Sequence, residues 1–100
     1  MSNSYNKALK SYLKNKPSYI YYYENGSVSS EYWHKDGKRH RDNDKPAAIY
    51  YRKDGSVYSE RWHKDDKLHR DNDKPATIYY HKDGLVWSEV YYKDGVKYTP

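Results

Sequence analysis

Five histidines, His34, His40, His63, His69 and His81, are the side chains of this chain best suited to acid–base or metal chemistry near neutral pH. His34 and His40 bracket a turn signal, and His63 and His69 repeat that spacing further along. Two imidazoles facing each other across a hairpin, joined by the carboxylate of Asp42 or Asp71, would make a ligand set that zinc accepts. The next positions in the series are Tyr92 and Tyr98, and the chain has no cysteine, so the set does not recur. Asp42-Asn43-Asp44 and Asp71-Asn72-Asp73 invite a calcium reading, but they lack the long loop and distal bidentate Glu of a strong site. Asp and Asn ahead of a proline more simply bond nearby backbone amides and hold a loop. No metal and no cofactor are expected.

Catalysis fares no better. There is no nucleophile elbow and no glycine-rich phosphate loop. An active site needs uniquely placed groups in asymmetric surroundings. Here nearly every acid or base has a copy elsewhere in the chain, which points to structure or multivalent contact, and no catalytic residue is expected.

The copies reveal the elements that must position these groups. HRDNDKPAAIYY at 40–51 and HRDNDKPATIYY at 69–80 differ at one position, Ala48 against Thr77. The spacing of 29 extends through Pro17, Pro46 and Pro75, through Ile20, Ile49 and Ile78, and through Gly26, Gly55 and Gly84. Residues 16–44 and 45–73 agree at 20 of 29 positions. A third unit, 74–100, keeps the first half and then drifts, as end units without a further neighbour do. Asn25-Gly26, Asp54-Gly55 and Asp83-Gly84, each between runs rich in Tyr, Ile and Val, are strong hairpin signals. A second turn follows at Asp36-Gly37, Asp65-Asp66 and Asp94-Gly95, where Asp66 must adopt the positive φ that glycine takes easily.

Each unit therefore reads as a strand (AIYY), a turn, a strand (VYSERWH), a second turn, a short strand (LHR) and a rigid DNDKP loop. The hairpin register stays open by one residue. Tyr51 shares a face either with Tyr58 and Trp62 or with Val57 and Ser59.

The predicted class is mainly β: an antiparallel β-hairpin repeat sheet of about three 29-residue units, 16–44, 45–73 and 74–100. Over 1–15, Tyr5, Ala8, Leu9, Tyr12 and Leu13 recur at helical spacing, with Ser4 as N-cap and Pro17 as a stop. That stretch predicts a short helical cap over an otherwise open edge or face. Composition agrees with a thin sheet. Tyr supplies 15 residues, Trp 3 and Phe none, and the apolar share is only 35%. A mean hydropathy of −1.44 suggests disorder, yet disordered chains lack aromatics at regular positions.

The formal charge of +5 allows an anionic partner, but acidic residues interleave with the basic ones. No long apolar run and no cysteine predict a protein off the membrane, in the cytoplasm.

The strings WHKDGKxHRDN and PAxIYYxxDG, with Asn in place of Asp at the first Gly, resemble the MORN-variant repeats of bacterial, phage and giant-virus proteins. The resemblance covers roughly residues 16–100 and implies an array of antiparallel β-hairpins. Some members are antitoxin-like components of toxin–antitoxin systems, and better-known MORN proteins act as scaffolds or bind membranes. This chain has fewer glycines and a longer period than the MORN consensus, so lipid binding is not carried over.

Function then rests on the aromatics. Tyr21, Tyr22, Tyr23, Tyr50, Tyr51, Tyr79, Tyr80, Trp33, Trp62 and Trp87 would form ladders across adjacent strands. Alternation cannot bury them all on one face, so part of the ladder stands exposed beside Arg41, Arg52, Arg61 and Arg70. Tyr, Trp and Arg dominate protein interfaces. The same types also stack bases and meet phosphates, although Glu31, Glu60 and Glu89 in the same strands oppose that version.

The expected binding residues are Trp33, Trp62, Trp87, Tyr22, Tyr51, Tyr80, Arg41 and Arg70. The expected function is a non-enzymatic protein-binding module, an inhibitor or antitoxin-like partner. The alternative is a binder of nucleic acid or a small nucleotide, such as a phage- or virus-type anti-defence protein. An uncapped edge near Tyr91–Tyr98 also predicts self-association.

Overall fold

Tight Asx turns, DNDKP loops and antiparallel strands build most of the chain that the computed structural model describes, residues 15–100. The helical cap expected over 1–15 falls almost wholly on residues 1–14, outside the described residues. Eleven strands follow: β1 (Tyr19–Tyr22), β2 (Val28–Tyr32), β3 (His34–Lys35), β4 (Lys38–Arg39), β5 (Ala48–Tyr51), β6 (Val57–Arg61), β7 (His63–Lys64), β8 (Lys67–Leu68), β9 (Thr77–Tyr80), β10 (Val86–Lys93) and β11 (Val96–Tyr98). Seven form one antiparallel sheet in the order β1-β2-β5-β6-β9-β10-β11, and β3-β4 and β7-β8 are separate two-stranded ribbons.

The first hairpin of each pair closes through a three-residue loop. Gly55 donates its N–H to the Arg52 carbonyl (2.9 Å), Arg52 donates to Ser56 (2.8 Å), and Gly55 has φ 92. This is a type I turn followed by a left-handed residue, and glycine is required there because a Cβ disfavours that backbone. The second turns hold two residues, both at positive φ: Asp36 with Gly37, Asp65 with Asp66, and Asp94 with Gly95. Asp66 does take the demanding conformation, at φ 71. Its carboxylate accepts the Arg39 N–H at 2.6 Å, a contact no glycine could make.

Register settles which residues share a face, since direct cross-strand partners project to the same side. One row across six strands reads Tyr21, Ser30, Tyr50, Ser59, Tyr79, Ser88. The adjacent row on the same face reads Tyr19, Tyr32, Ala48, Arg61, Thr77, Val90. On the opposite face the row is Ile20, Glu31, Ile49, Glu60, Ile78, Glu89. Tyr51 pairs with Val57 after a bulge, so it lies with Val57 and away from the Tyr50 row.

The strand expected to run through Trp62 breaks there. Trp62 donates its N–H to Ala76 (2.7 Å), as Trp33 does to Ala47 (2.9 Å), and the ribbons β3-β4 and β7-β8 turn off the sheet. The short strand expected at Leu68–Arg70 is Lys67–Leu68 instead, because the turn holds two residues and pairs Lys64 with Lys67. At Tyr91 the chain does not break: β10 continues to Lys93 and pairs with β11.

The core sits under these breaks. Trp33 and Trp62 are each 7% exposed, and Ala47 and Ala76 are fully buried beside them.

Candidate functional site

The Tyr/Ser row carries the candidate site because small residues let large ones lie over the sheet. Ser30 and Ser59, between tyrosines on both sides, are buried. The rings above them meet edge to face. Tyr21 and Tyr32 lie 5.8 Å apart between centroids, as do Tyr32 and Tyr50. The guanidinium of Arg61 then bridges Tyr50 (5.1 Å) and Tyr79 (6.0 Å), and Tyr79 meets Tyr58 (5.7 Å) and Trp87 (6.4 Å). Arg39 reaches in from β4 to lie 4.6 Å from the Tyr32 ring. Edge-to-face pairs and cations over rings each contribute on the order of 0.5–1.5 kcal/mol, so this face is held in place before any partner arrives. Trp87, Tyr19, Tyr21 and Tyr58 remain exposed, and Tyr32, Tyr50 and Tyr79 are half-buried.

Charge is divided between the two faces. Arg39 and Arg61 stand among the rings, while Glu31, Glu60 and Glu89 project from the other side. Beside this face His63 is held neutral, its pKa down at about 4, mainly by burial and then by the charges of Arg39 and Arg61. Burial first, then the hydrogen bond with Tyr32, raises the Tyr50 phenol.

On the opposite face hydroxyls and carboxylates pair. The Tyr51 hydroxyl donates to Glu31 and the Tyr80 hydroxyl to Glu60. Burial and those carboxylates push both phenols well above the ordinary tyrosine range. Arg41 lies 3.8 Å from the Trp33 ring centroid and donates to the Pro46 carbonyl, and Arg70 does the same with Trp62 and Pro75.

The duplicated HRDND string builds a groove between successive loops, lined among others by His40, Asp42, Trp62, His69 and Arg70. Its polar groups engage one another. Asp44 accepts from Arg70 (2.9 Å) and Lys74 (3.0 Å), chiefly the former holding its carboxyl down at about 2. His40 meets Asp42 and His69 meets Asp71, each at 2.8 Å, and those contacts lower both carboxyl pKa values. His69 Nδ1 accepts the Asp94 N–H at 3.0 Å, which leaves the proton on Nε2 for Asp71. Among the described residues no group of three or more His, Cys, Asp or Glu could hold a metal ion.

The eight residues expected to bind do not converge. Trp87 belongs to the Tyr/Arg face. Trp33 and Trp62, expected on an exposed row, are instead buried, and each indole N–H reaches a backbone carbonyl, Asn15 at 2.9 Å and Asp44 at 3.0 Å. Arg41 and Arg70 cover those rings. Tyr51 and Tyr80 lie half-buried on the glutamate side, and Tyr22 is exposed on it.

Tyr32, Arg39 and Tyr58 were not anticipated in the ladder. Tyr32 and Arg61 occupy equivalent positions 29 apart, and the change of residue type hides their common place. The recurring Ser30, Ser59 and Ser88 were the available signal. Glu31, Glu60 and Glu89 had counted against a phosphate ligand because they share strands with the aromatics, but they occupy the other face. No family model, no curated protein and no solved structure matches the chain. Among the described residues no helix is long and apolar enough to cross a membrane.

Proposed function

We propose that this chain is a non-enzymatic protein-binding module, and that its working surface is the Tyr/Arg face running from Tyr21 to Trp87. The observation that carries this reading is the continuous ladder of exposed and half-exposed rings with Arg39 and Arg61 set into it. Aromatic rings offer large contact area with little rotamer entropy to lose, and the arginines, which have more to lose, are already packed against them here.

The partner is a protein that the module inhibits, in the manner of an antitoxin. In this reading the sheet is an array of three 29-residue units of MORN-variant type. Its place is the cytoplasm, which a chain free of cysteine suits.

A second reading, an anionic single strand or nucleotide, is favoured by one observation: the three glutamates lie on the face away from Arg39 and Arg61. Bases would stack on the exposed rings while the arginines meet phosphate.

One experiment separates the readings. The full chain and a Tyr21→Ser/Tyr58→Ser/Trp87→Ser variant are used for affinity purification at two salt concentrations, with Tyr22→Ser as the opposite-face control. A protein partner is expected with wild type and the control, lost with the triple variant, and little affected by salt. Capture of nucleic acid that falls steeply with salt supports the second reading. Retention of every partner by the folded triple variant removes this face as the site.

A further inference from the structure

The two ends of the sheet are halves of the same joint. Inside the molecule, β2 joins β5 and β6 joins β9 through one set of contacts. Glu31 and Glu60 accept the hydroxyls of Tyr51 and Tyr80. Trp33 and Trp62 donate N–H groups to Ala47 and Ala76. Asp66 donates its N–H to the Arg39 carbonyl (3.0 Å), and Gly95 likewise to Leu68 (2.9 Å). Ser30 and Ser59 take a tyrosine from the next strand.

At the β10 end the accepting half stands without its mate. Glu89 is exposed where Glu31 and Glu60 are half-buried, and Ser88 is half-exposed where Ser59 is fully buried. Among the described residues no further strand pairs with Ser88–Val90, since β11 pairs only with Tyr91–Lys93. The open edge lies at Ser88–Val90, next to the segment near Tyr91–Tyr98 where an uncapped edge is expected and where β11 pairs with Tyr91–Lys93. At the β1 end the donating half has no mate among the described residues. Tyr22, 29 residues before Tyr51, is 61% exposed and its hydroxyl has no partner among the described residues. Gly37, 29 residues before Asp66, sits in an exposed turn.

We propose that β1 of a second copy of this chain adds to the Ser88–Val90 edge of β10, in the register of the internal joints. Tyr21 of the incoming copy lies opposite Ser88, Ile20 opposite Glu89 and Tyr19 opposite Val90. Tyr22 donates to Glu89, and the Gly37 N–H meets the Lys97 carbonyl. Each contact has two internal precedents at the same spacing. The joint uses different surfaces on its two sides, so the copies add head to tail, as a ring if the rotation closes and as a filament if it does not. The Tyr/Arg face continues unbroken across it. This inference does not rest on the proposed function: it is argued from the strand edges and from Tyr22 and Glu89 on the opposite face, and it shares Tyr21 and Ser88 with the Tyr/Arg face.

The chain has no cysteine, which makes the register directly testable. Full-length Tyr21→Cys and Ser88→Cys proteins are mixed under mild oxidation, with Tyr22→Cys plus Ser88→Cys as a control whose side chains lie on opposite faces. The expected result is roughly tenfold more mixed disulfide in the first pair, because direct cross-strand partners place their Cβ atoms within disulfide range. Sedimentation velocity of the wild-type chain should show mass rising with concentration past the dimer. Tyr22→Phe should weaken that association about tenfold, the effect of one hydrogen bond to a charged group. A chain that stays monomeric at its highest soluble concentration overturns the proposal. So does growth that stops at a dimer, or cross-linking of Ser88→Cys with itself as fast as with Tyr21→Cys. Because Tyr21→Cys and Tyr22→Cys alter exposed side chains, folding is not at risk in the comparison.

Discussion

Arg70 lies over Trp62, its guanidinium carbon 3.8 Å from the ring centroid, and the same guanidinium donates to Asp44 through Nε at 2.9 Å. Trp62 meets that loop from below, its indole N–H donating to the Asp44 carbonyl at 3.0 Å. One residue of the preceding loop is thus gripped by the side chain through a cation and by the backbone through an indole. Removing the indole takes away both the buried ring and the clamp. Trp62→Ala is expected to destabilise the fold by about 3–5 kcal/mol in urea denaturation. Trp87→Ala, at an exposed ring, is expected to stay within about 0.5 kcal/mol of wild type. Equal effects would mean that Trp62 is not part of the core.

Ser59 has a different logic. It is fully buried between Tyr50 and Tyr79, and its hydroxyl has no hydrogen-bond partner among the described residues. A buried unpaired hydroxyl costs free energy, so Ser59→Ala should leave the melting temperature unchanged or raise it. Ser59→Leu should lower stability by about 1–3 kcal/mol, since the rings above have no room for it. A marked loss with alanine would show that the hydroxyl is needed.

Asp66 combines a cost and a gain. Its φ of 71 disfavours a side chain, while its carboxylate binds the Arg39 N–H. Asp66→Ala keeps the strain and loses the bond, and should cost about 1–2 kcal/mol. Asp66→Gly loses the bond but relieves the strain, and should cost less than alanine. Thermal melts of the two variants side by side test the order. The reverse order would place the importance of Asp66 elsewhere.

Acid should act on the fold in two windows. His63 has a folded pKa of about 4 against an ordinary value of 6.5. Between these values the unfolded chain takes up the proton and the folded one does not, so stability is full above about pH 6.5 and declines as pH falls toward 4. Asp44, at about 2 against 3.8, keeps its stabilising charge above 3.8 and loses it only as pH falls toward 2. His63→Gln is expected to flatten the loss of melting temperature between pH 6.5 and 4 while leaving the steeper fall below 4 in place. An unchanged slope in the upper window would acquit His63.

The hairpins and their order could be read from local chemistry. Glycine or Asx at a fixed place in each turn and alternation on either side depend on a few neighbouring residues, and Asp65-Asp66 shows that even the exception was legible. The joint role of HRDNDKP was legible too, because a proline-bound loop that recurs with the strands belongs to their connection. The face of each aromatic was not. A one-residue change of register moves a side chain to the other side of a sheet. The bulges at Tyr50/Tyr51 and at Val86/Ser88, with the breaks at Trp33 and Trp62, are where parity changes. Trp33 and Trp62 looked like surface because tryptophan is common at interfaces. They became core because a backbone carbonyl, of Asn15 or Asp44, and an arginine of the HRDND string, Arg41 or Arg70, close over each ring.

By itself, then, the sequence determined the alternation of turns and strands and the 29-residue spacing that brings like residues side by side, since both follow from local backbone preference and side-chain period. Only the tertiary structure decided that Tyr50 and Tyr79 face one way with Arg61, that Glu31 and Glu60 face the other with Tyr51 and Tyr80, and that Ser88 and Glu89 lie on an open edge. Those facts depend on which strand pairs with which and in what register, and that is settled when the whole sheet assembles.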